Sequence, residues 1–447
     1  MTISHTARSV DAEVVIVGGG PAGAATAWAL ARAGVDVVIL DRARFPRDKP
    51  CAEYLSPQAS RILSDMGVLA SIEAAGAAQL TGMKIRAPSG AWFRGEFAAG
   101  HGFRGFRDQG LALRRRVLDA ILLRHAEAAG ARVIEGAAVT DVTRDSSRRV
   151  TGVRYTGSGD APAAMPAAMP AAHADDAAAK SPGGVLSARV VVGADGLRSV
   201  ISRRLGLAHT RRWPRRVAFV THYHGVSEMG TVGEMHVERD GYVGLADVGG
   251  GDTNVAVVVP ARATHGIGAD RAAFLERWIA SRPQLVPRFR GASRVSPVRA
   301  IGPFAQHARR AWSPGAALVG DAADFFDPFT GEGIYAALRG AELLTPSLYE
   351  AARASTARGA DDALAAYDRC RRHEFRGKWI VERAVGTAVA MPAIVEHVAR
   401  VLARRPDMAD LLIGVTGDFV PPREVLRLSY LGGFVLPDFL SRRVTQP

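Results

Sequence analysis

Cysteine and lysine are both scarce in this chain. Two cysteines, Cys51 and Cys370, stand among 447 residues. That excludes a disulfide framework and the four-thiolate ligand set of an iron–sulfur cluster. Only four of the 57 basic residues are lysines (Lys49, Lys84, Lys180 and Lys378), so arginine carries the formal net charge of +13. Apolar runs of about eighteen residues are missing, which argues against a spanning helix. The opening residues, MTISHTARSVDAE, are polar and hold no basic-then-apolar leader, so the expectation is a cytoplasmic protein. No metal site is read. The excess of positive charge suits a solvated basic surface, with a membrane surface or an anionic carrier protein as the sharper alternative. No nucleic-acid recognition motif accompanies it, so nucleic acid is not expected as a partner. The oligomeric state stays open.

Against these absences stands a glycine-punctuated opening, AEVVIVGGGPAGAATAWALARAGVDVVILDR, residues 12–42. An apolar run leads into a glycine turn, an alanine-rich helix and a second apolar run. Gly18, Gly20 and Gly23 fill the G-x-G-x-x-G positions, with Pro21 and Ala22 between them. Gly18 permits the tight turn, Gly20 lets a pyrophosphate approach the backbone, and Gly23 lets the helix pack closely. The phosphates would rest on the helix N-terminus, where free N–H groups favour anions. Asp41 closes the second strand at the distance expected of a ribose-binding acid, and Arg42 follows it. This pattern predicts an α/β, Rossmann-like dinucleotide-binding domain.

Two later segments narrow the cofactor. SARVVVGADGLRSVISRRLG (residues 187–206) carries Asp195-Gly196 after an apolar strand. GAALVGDAADFFDPFTGEGIYAALRGAELL (residues 315–344) carries Gly320-Asp321, Pro328, Gly331, Gly333 and Ile334 ahead of a long helix. With these motifs the chain resembles the FAD-dependent family that includes class A flavin monooxygenases, geranylgeranyl reductases and flavin-dependent halogenases. The resemblance implies a glutathione reductase-type fold with non-covalent FAD. It implies that Asp321 meets the ribityl chain, that Arg115 contacts FAD, and that the helix start at Gly331–Ile334 faces the flavin pyrimidine edge. One departure from the family pattern is Ser202, with Arg203 beside it, where an arginine usually follows ADGxxS.

The domains interleave. Residues 12–80, 108–206 and 300–345 are assigned to the FAD-binding domain, with 161–184 as a disordered low-complexity loop. Residues 81–107 and 207–299 read as a mostly antiparallel β-sheet substrate domain, and 346–447 as a helical C-terminal extension. GGGDT (residues 249–253) lacks a third glycine and a following helix, so it reads as a hairpin turn. No dedicated nicotinamide domain is seen, and NADPH or NADH would dock transiently.

The loop FPRDKPCAEYLSP (residues 45–57) is similar to the cysteine-bearing segment of geranylgeranyl reductases. Cys51 is therefore a candidate proton donor beside the flavin, with Glu53 and Tyr54 as alternative acid–base groups. Against a prenyl reductase, the family's aromatic-x-W-x-F-P signature is reduced here to Tyr242. A halogenase would want W-x-W-x-I-P and an isolated catalytic lysine; the first is missing, and Lys84 reads as a surface charge. His222, His224 and His236, on predicted strands, are candidates to deprotonate a phenol. The leading expectation is NAD(P)H- and O2-dependent hydroxylation of a small hydrophobic, phenolic or polyketide-like substrate. Saturation of isoprenoid double bonds is the alternative, and a flavin-binding sensor or carrier without turnover is the minor one.

Overall fold

The computed structural model describes residues 10–157 and 183–434, apart from 99, 212, 266, 268 and 269. The low-complexity loop, up to residue 182, lies outside the described residues. So does the chain after Phe434, which includes the end of the apolar C-terminal stretch.

The glycine-punctuated opening folds as a strand (Ala12–Val17), a helix (Pro21–Arg32) and a strand (Val37–Asp41). Both strands are almost wholly buried, as parallel strands covered on two faces must be. The parallel sheet runs Ala316–Leu318, Gly184–Gly193, Ala12–Val17, Val37–Asp41, Arg132–Glu135. A Cβ on Gly23 would lie 1.9 Å from the Gly18 carbonyl oxygen, so this helix reaches its strand only because residue 23 is glycine. The helices Arg115–Ala128 and Gly333–Arg353 pack against Pro21–Arg32.

A second sheet stands over the C-terminal ends of these strands. Its order is Ser293–Arg294, Arg216–His224, Asp252–Pro260, Gly241–Asp247, Val232–Glu238, Gly82–Arg86, Trp92–Glu96. Every pairing is antiparallel except that between Val232–Glu238 and Gly82–Arg86. The three glycines 249–251 turn one of its hairpins. Strand alternation splits the side chains between two cores. Val255, Val257 and Val259 join Leu275, Trp278 and Ile279 of the helix Arg271–Ala280. Ala218, Val220, Met235, Tyr242 and Val258 face the opposite way, towards the first domain.

The C-terminal helices complete that opposite core. Ala357–Ala388 bends by 112° into Pro392–Arg404, and Pro406–Thr416 follows. Val395, Leu402, Met408 and Ile413 share a core with Phe93, Phe97 and Tyr242 of the sheet region. Among the described residues no single helix is long and apolar enough to cross a membrane.

The tightest contact in this docking is at Gly95, where a Cβ would lie 2.4 Å from Ile413 Cγ1 and 2.7 Å from the Ala409 carbonyl oxygen. Gly95→Ala is expected to cost about 1–3 kcal/mol by overpacking. Urea unfolding followed by far-UV circular dichroism measures it. An unchanged midpoint would mean that the helices do not bear on this strand.

Candidate active site

A cleft with about 1590 Å3 of empty space, open mouth included, runs between the two sheets. Its first half follows the glycine turn. A Cβ on Gly20 would lie 3.7 Å from a terminal nitrogen of both Arg47 and Arg115, which places two guanidinium groups over the point of pyrophosphate approach. Asp119 anchors both cations: Arg115 Nε and Nη2 donate to its two oxygens at 2.6 and 2.8 Å, and Arg47 Nη1 lies 2.9 Å away. Lys49 Nζ is 3.3 Å from where a Gly196 Cβ would stand. Burial, with the Arg115 guanidinium beside it, pushes the Lys49 ammonium down from its usual range. Asp321 lines the same stretch without a hydrogen-bond or ion-pair partner among the described residues, and burial raises it.

Other cofactor candidates stand behind this wall. Asp41 accepts from the Gly19 and Ala43 amides, both at 2.8 Å, at the end of its strand. Arg42 is exposed on the following turn and does not line the cleft. Asp195 caps the helix Val200–Arg204 through the Val200 amide (2.6 Å), and its buried Oδ1 has no partner. Ser202 lies inside that short helix, away from the cleft. Pro21, Ala22, Gly196, Gly320, Pro328, Gly331, Gly333 and Ile334 all line the cleft. Open glycine backbone, three cations and unpaired carboxylate oxygens fit a dinucleotide with a charged middle.

The cysteine loop divides its residues between two places. Cys51 faces the cleft beside the Arg115 guanidinium, and its Sγ accepts from the Glu53 amide at 3.4 Å. Glu53 does not reach the cleft. It is 2% exposed, with a backbone φ of +63°, and its carboxylate is fully engaged. Oε1 accepts from the Arg115 amide (2.7 Å), and Oε2 from His222 Nε2 (2.7 Å) and Asn254 Nδ2 (3.0 Å). The expected acid–base role of Glu53 is therefore replaced by a structural one. Tyr54 is likewise outside the cleft, stacked on Phe97 with its ring beneath Gly331. Burial and Asp418 raise its phenol well above the usual range. The three strand histidines are elsewhere too: His222 on Glu53, His224 on Asp252 at an exposed edge, and His236 on Glu234.

The helix Ala357–Ala388 supplies a wall that sequence reasoning missed. Arg371, Phe375, Lys378, Trp379 and Glu382 line the cleft from one helical face. Lys378, 7% exposed, lies 3.2 Å from Glu332 Oε2 and also pairs with Asp418. Glu382 hydrogen-bonds Glu332. Three buried carboxyl groups thus surround one ammonium, and burial raises all three; Asp418 is pushed up to about 6. The signal in the sequence was Lys378 itself, a lysine in a chain that otherwise uses arginine.

The family described as FAD binding domain matches residues 11–376, and the chain belongs to it. The protein is an FAD-dependent oxidoreductase, as its named relatives also indicate. The menaquinone reductase of Mycobacterium tuberculosis is 36% identical over 214 residues, 47% of this chain but only 43% of that protein. That of Mycolicibacterium smegmatis is 27% identical over 92% of both chains. Digeranylgeranylglycerophospholipid reductase 1 of Methanopyrus kandleri is 30% identical over 74% of this chain and 78% of its own. Among solved structures, a flavin-dependent brominase superposes with a TM-score of 0.75 at 20% identity, over 97% of this chain and 100% of that one, and so shares the fold.

The raised carboxyls set a pH dependence. The folded chain keeps a proton on Asp418 that the unfolded chain releases near pH 3.8. This contribution to stability is full below that pH and is lost as the pH rises through about 6. Asp418→Asn should therefore gain melting temperature relative to the parent between pH 4 and pH 6.5. A pH-independent difference between the two would contradict the assignment.

Proposed function

We propose that this oxidoreductase saturates a carbon–carbon double bond in the isoprenoid chain of a hydrophobic lipid. The observation that carries this reading is the single thiol in the cleft wall, at Cys51, facing an apolar trough. The second sheet lines that trough with Ala218, Val220, Met235, Gly244, Ala256 and Val258, and Ile301 and Phe304 extend it. Small side chains at Ala218, Gly244 and Ala256 leave width for a branched chain, and the apolar wall favours its burial. Relatives named for menaquinone and for digeranylgeranylglycerophospholipid support the same class of substrate.

The glycine turn with Arg47, Arg115 and Lys49 would hold FAD, which once reduced by NADPH or NADH would supply the hydride equivalent for one carbon of the double bond. Cys51 Sγ–H supplies the proton to the other carbon. The resulting thiolate lies against the Arg115 guanidinium and takes a proton back from water at the cleft mouth. Asn254 holds the loop in place by donating to the Cys51 carbonyl at 2.9 Å. Tyr242 does not touch a reacting atom in this scheme: its hydroxyl donates to Asp327 at 2.7 Å and fixes the loop before Gly331. Hydroxylation of a phenol would call for a base in the cleft, and none of the three strand histidines stands there.

Cys51→Ala should retain FAD, seen in its absorbance, and lose about a hundredfold or more of prenyl-chain reduction under anaerobic turnover with a chemical reductant. Wild-type rates in this variant would remove the thiol from the mechanism. Substrate-stimulated oxygen consumption with a phenol, indifferent to Cys51, would replace the proposal with hydroxylation.

A further inference from the structure

A second pocket, with about 270 Å3 of empty space, open mouth included, adjoins the flavin cleft. Asp324, Phe326, Trp379 and Glu382 line both, so the two share a wall. A three-stranded sheet builds it: Ala208–Thr210, Gln306–Ala308 and Asp324–Phe325, the last strand following directly on the Gly320-Asp321 turn. Arg211 enters at the end of the first strand, with its amide fixed on the Ala305 carbonyl at 2.9 Å. Arg383 comes from the cleft-lining helix, one residue past Glu382.

Among the described residues neither guanidinium has a hydrogen-bond or ion-pair partner, although both are half-buried. They are close enough to act on one another and on His307. Burial, His209, Arg211 and Arg383 together push the His307 imidazole down, and burial and Arg211 lower Arg383. His209 pairs across the strand with His307, its ring centroid 4.9 Å away. The bordering carboxyls are committed elsewhere: Asp324 to Arg371, and Glu382 to Glu332. Two forked, partly desolvated cations side by side are stabilised by a multiply charged, planar-faced anion.

We propose that Arg211, Arg383 and His307 form a phosphate-binding annex to the flavin cleft. It holds the phosphoryl end of a molecule whose other end lies at the flavin. Two sources carry that chemistry: a nicotinamide dinucleotide as reductant, or a phosphorylated prenyl lipid as substrate. The annex does not depend on the prenyl reading, because anion binding is measured without turnover.

The test is calorimetric titration of the holoenzyme with inorganic diphosphate. Wild type is expected to bind it, and Arg211→Gln/Arg383→Gln to bind it about tenfold or more weakly, with flavin absorbance and melting temperature retained. Should the double variant lose its flavin, single replacements by lysine keep the charge and lose the forked donors, and diphosphate must still bind more weakly. Steady-state kinetics then separate the sources. A raised KM for NADPH alone assigns the annex to the reductant; a raised KM for a prenyl diphosphate alone assigns it to the substrate. A wild type that binds no diphosphate at millimolar concentration, a variant that binds it as wild type does, or unchanged KM values for both molecules overturns the proposal.

Discussion

The walls of the cleft are joined at the Glu53 carboxylate. Three segments far apart in the chain donate to it: the start of the helix Arg115–Ala128 through the Arg115 amide, the strand Arg216–His224 through His222, and the strand Asp252–Pro260 through Asn254. The first belongs to the Rossmann-like domain and the other two to the second sheet. A carboxylate this deeply buried is tolerable only with such a full set of donors. His222 extends the set, since its Nδ1 lies 2.9 Å from Ser296 Oγ, which also accepts the His222 amide. Truncating Glu53 would leave several buried donors unsatisfied at about 1–3 kcal/mol each. The relative position of Cys51, Arg115 and the apolar trough follows from this junction.

The same junction explains which parts of the site could be read from sequence. The glycine turn was readable because its spacing is forced by local contacts: residue 23 must be glycine to clear the carbonyl of residue 18. Gly320, Asp321, Gly331 and Gly333 belong to a second local motif of that kind, and they line the cleft. The cysteine loop could be located but not resolved. Cys51, Glu53 and Tyr54 are close in sequence, yet the left-handed backbone at Glu53 turns the chain, so the thiol faces the cleft and the carboxylate faces the sheet. Which way each side chain points depends on His222 and Asn254, some two hundred residues on. No periodicity carries that information. The strand histidines failed for a related reason: alternation predicts that a strand residue faces one side or the other, but not which side carries the cleft.

The C-terminal helices show a different limit. Residues 346–447 read as a helical extension, but nothing in that reading says what the helices are buried against. The face of Ala357–Ala388 that carries Arg371, Lys378 and Glu382 closes the cleft instead of packing on a remote core. The helices that follow pack on the same face of the sheet, through Met408, Ala409 and Ile413. Substrate domain and C-terminal extension are therefore one cavity wall in physical terms, although they are separate stretches of sequence.

The two lysines that line the cleft stand in separate clusters of titratable groups. Arg47, Arg115 and Lys49 gather around Asp119 and Asp321, whereas Lys378 sits among Glu332, Glu382 and Asp418, where burial favours the protonated carboxyls. An arginine is always charged and presents a wide planar fork, which suits a phosphate or a carboxylate at the rim. An ammonium is compact, and both lysines in the cleft stand where space is short: Lys49 against Gly196, and Lys378 among three carboxyls over the Tyr335 ring. Lys84, by contrast, rests over the exposed Trp92 ring at the surface.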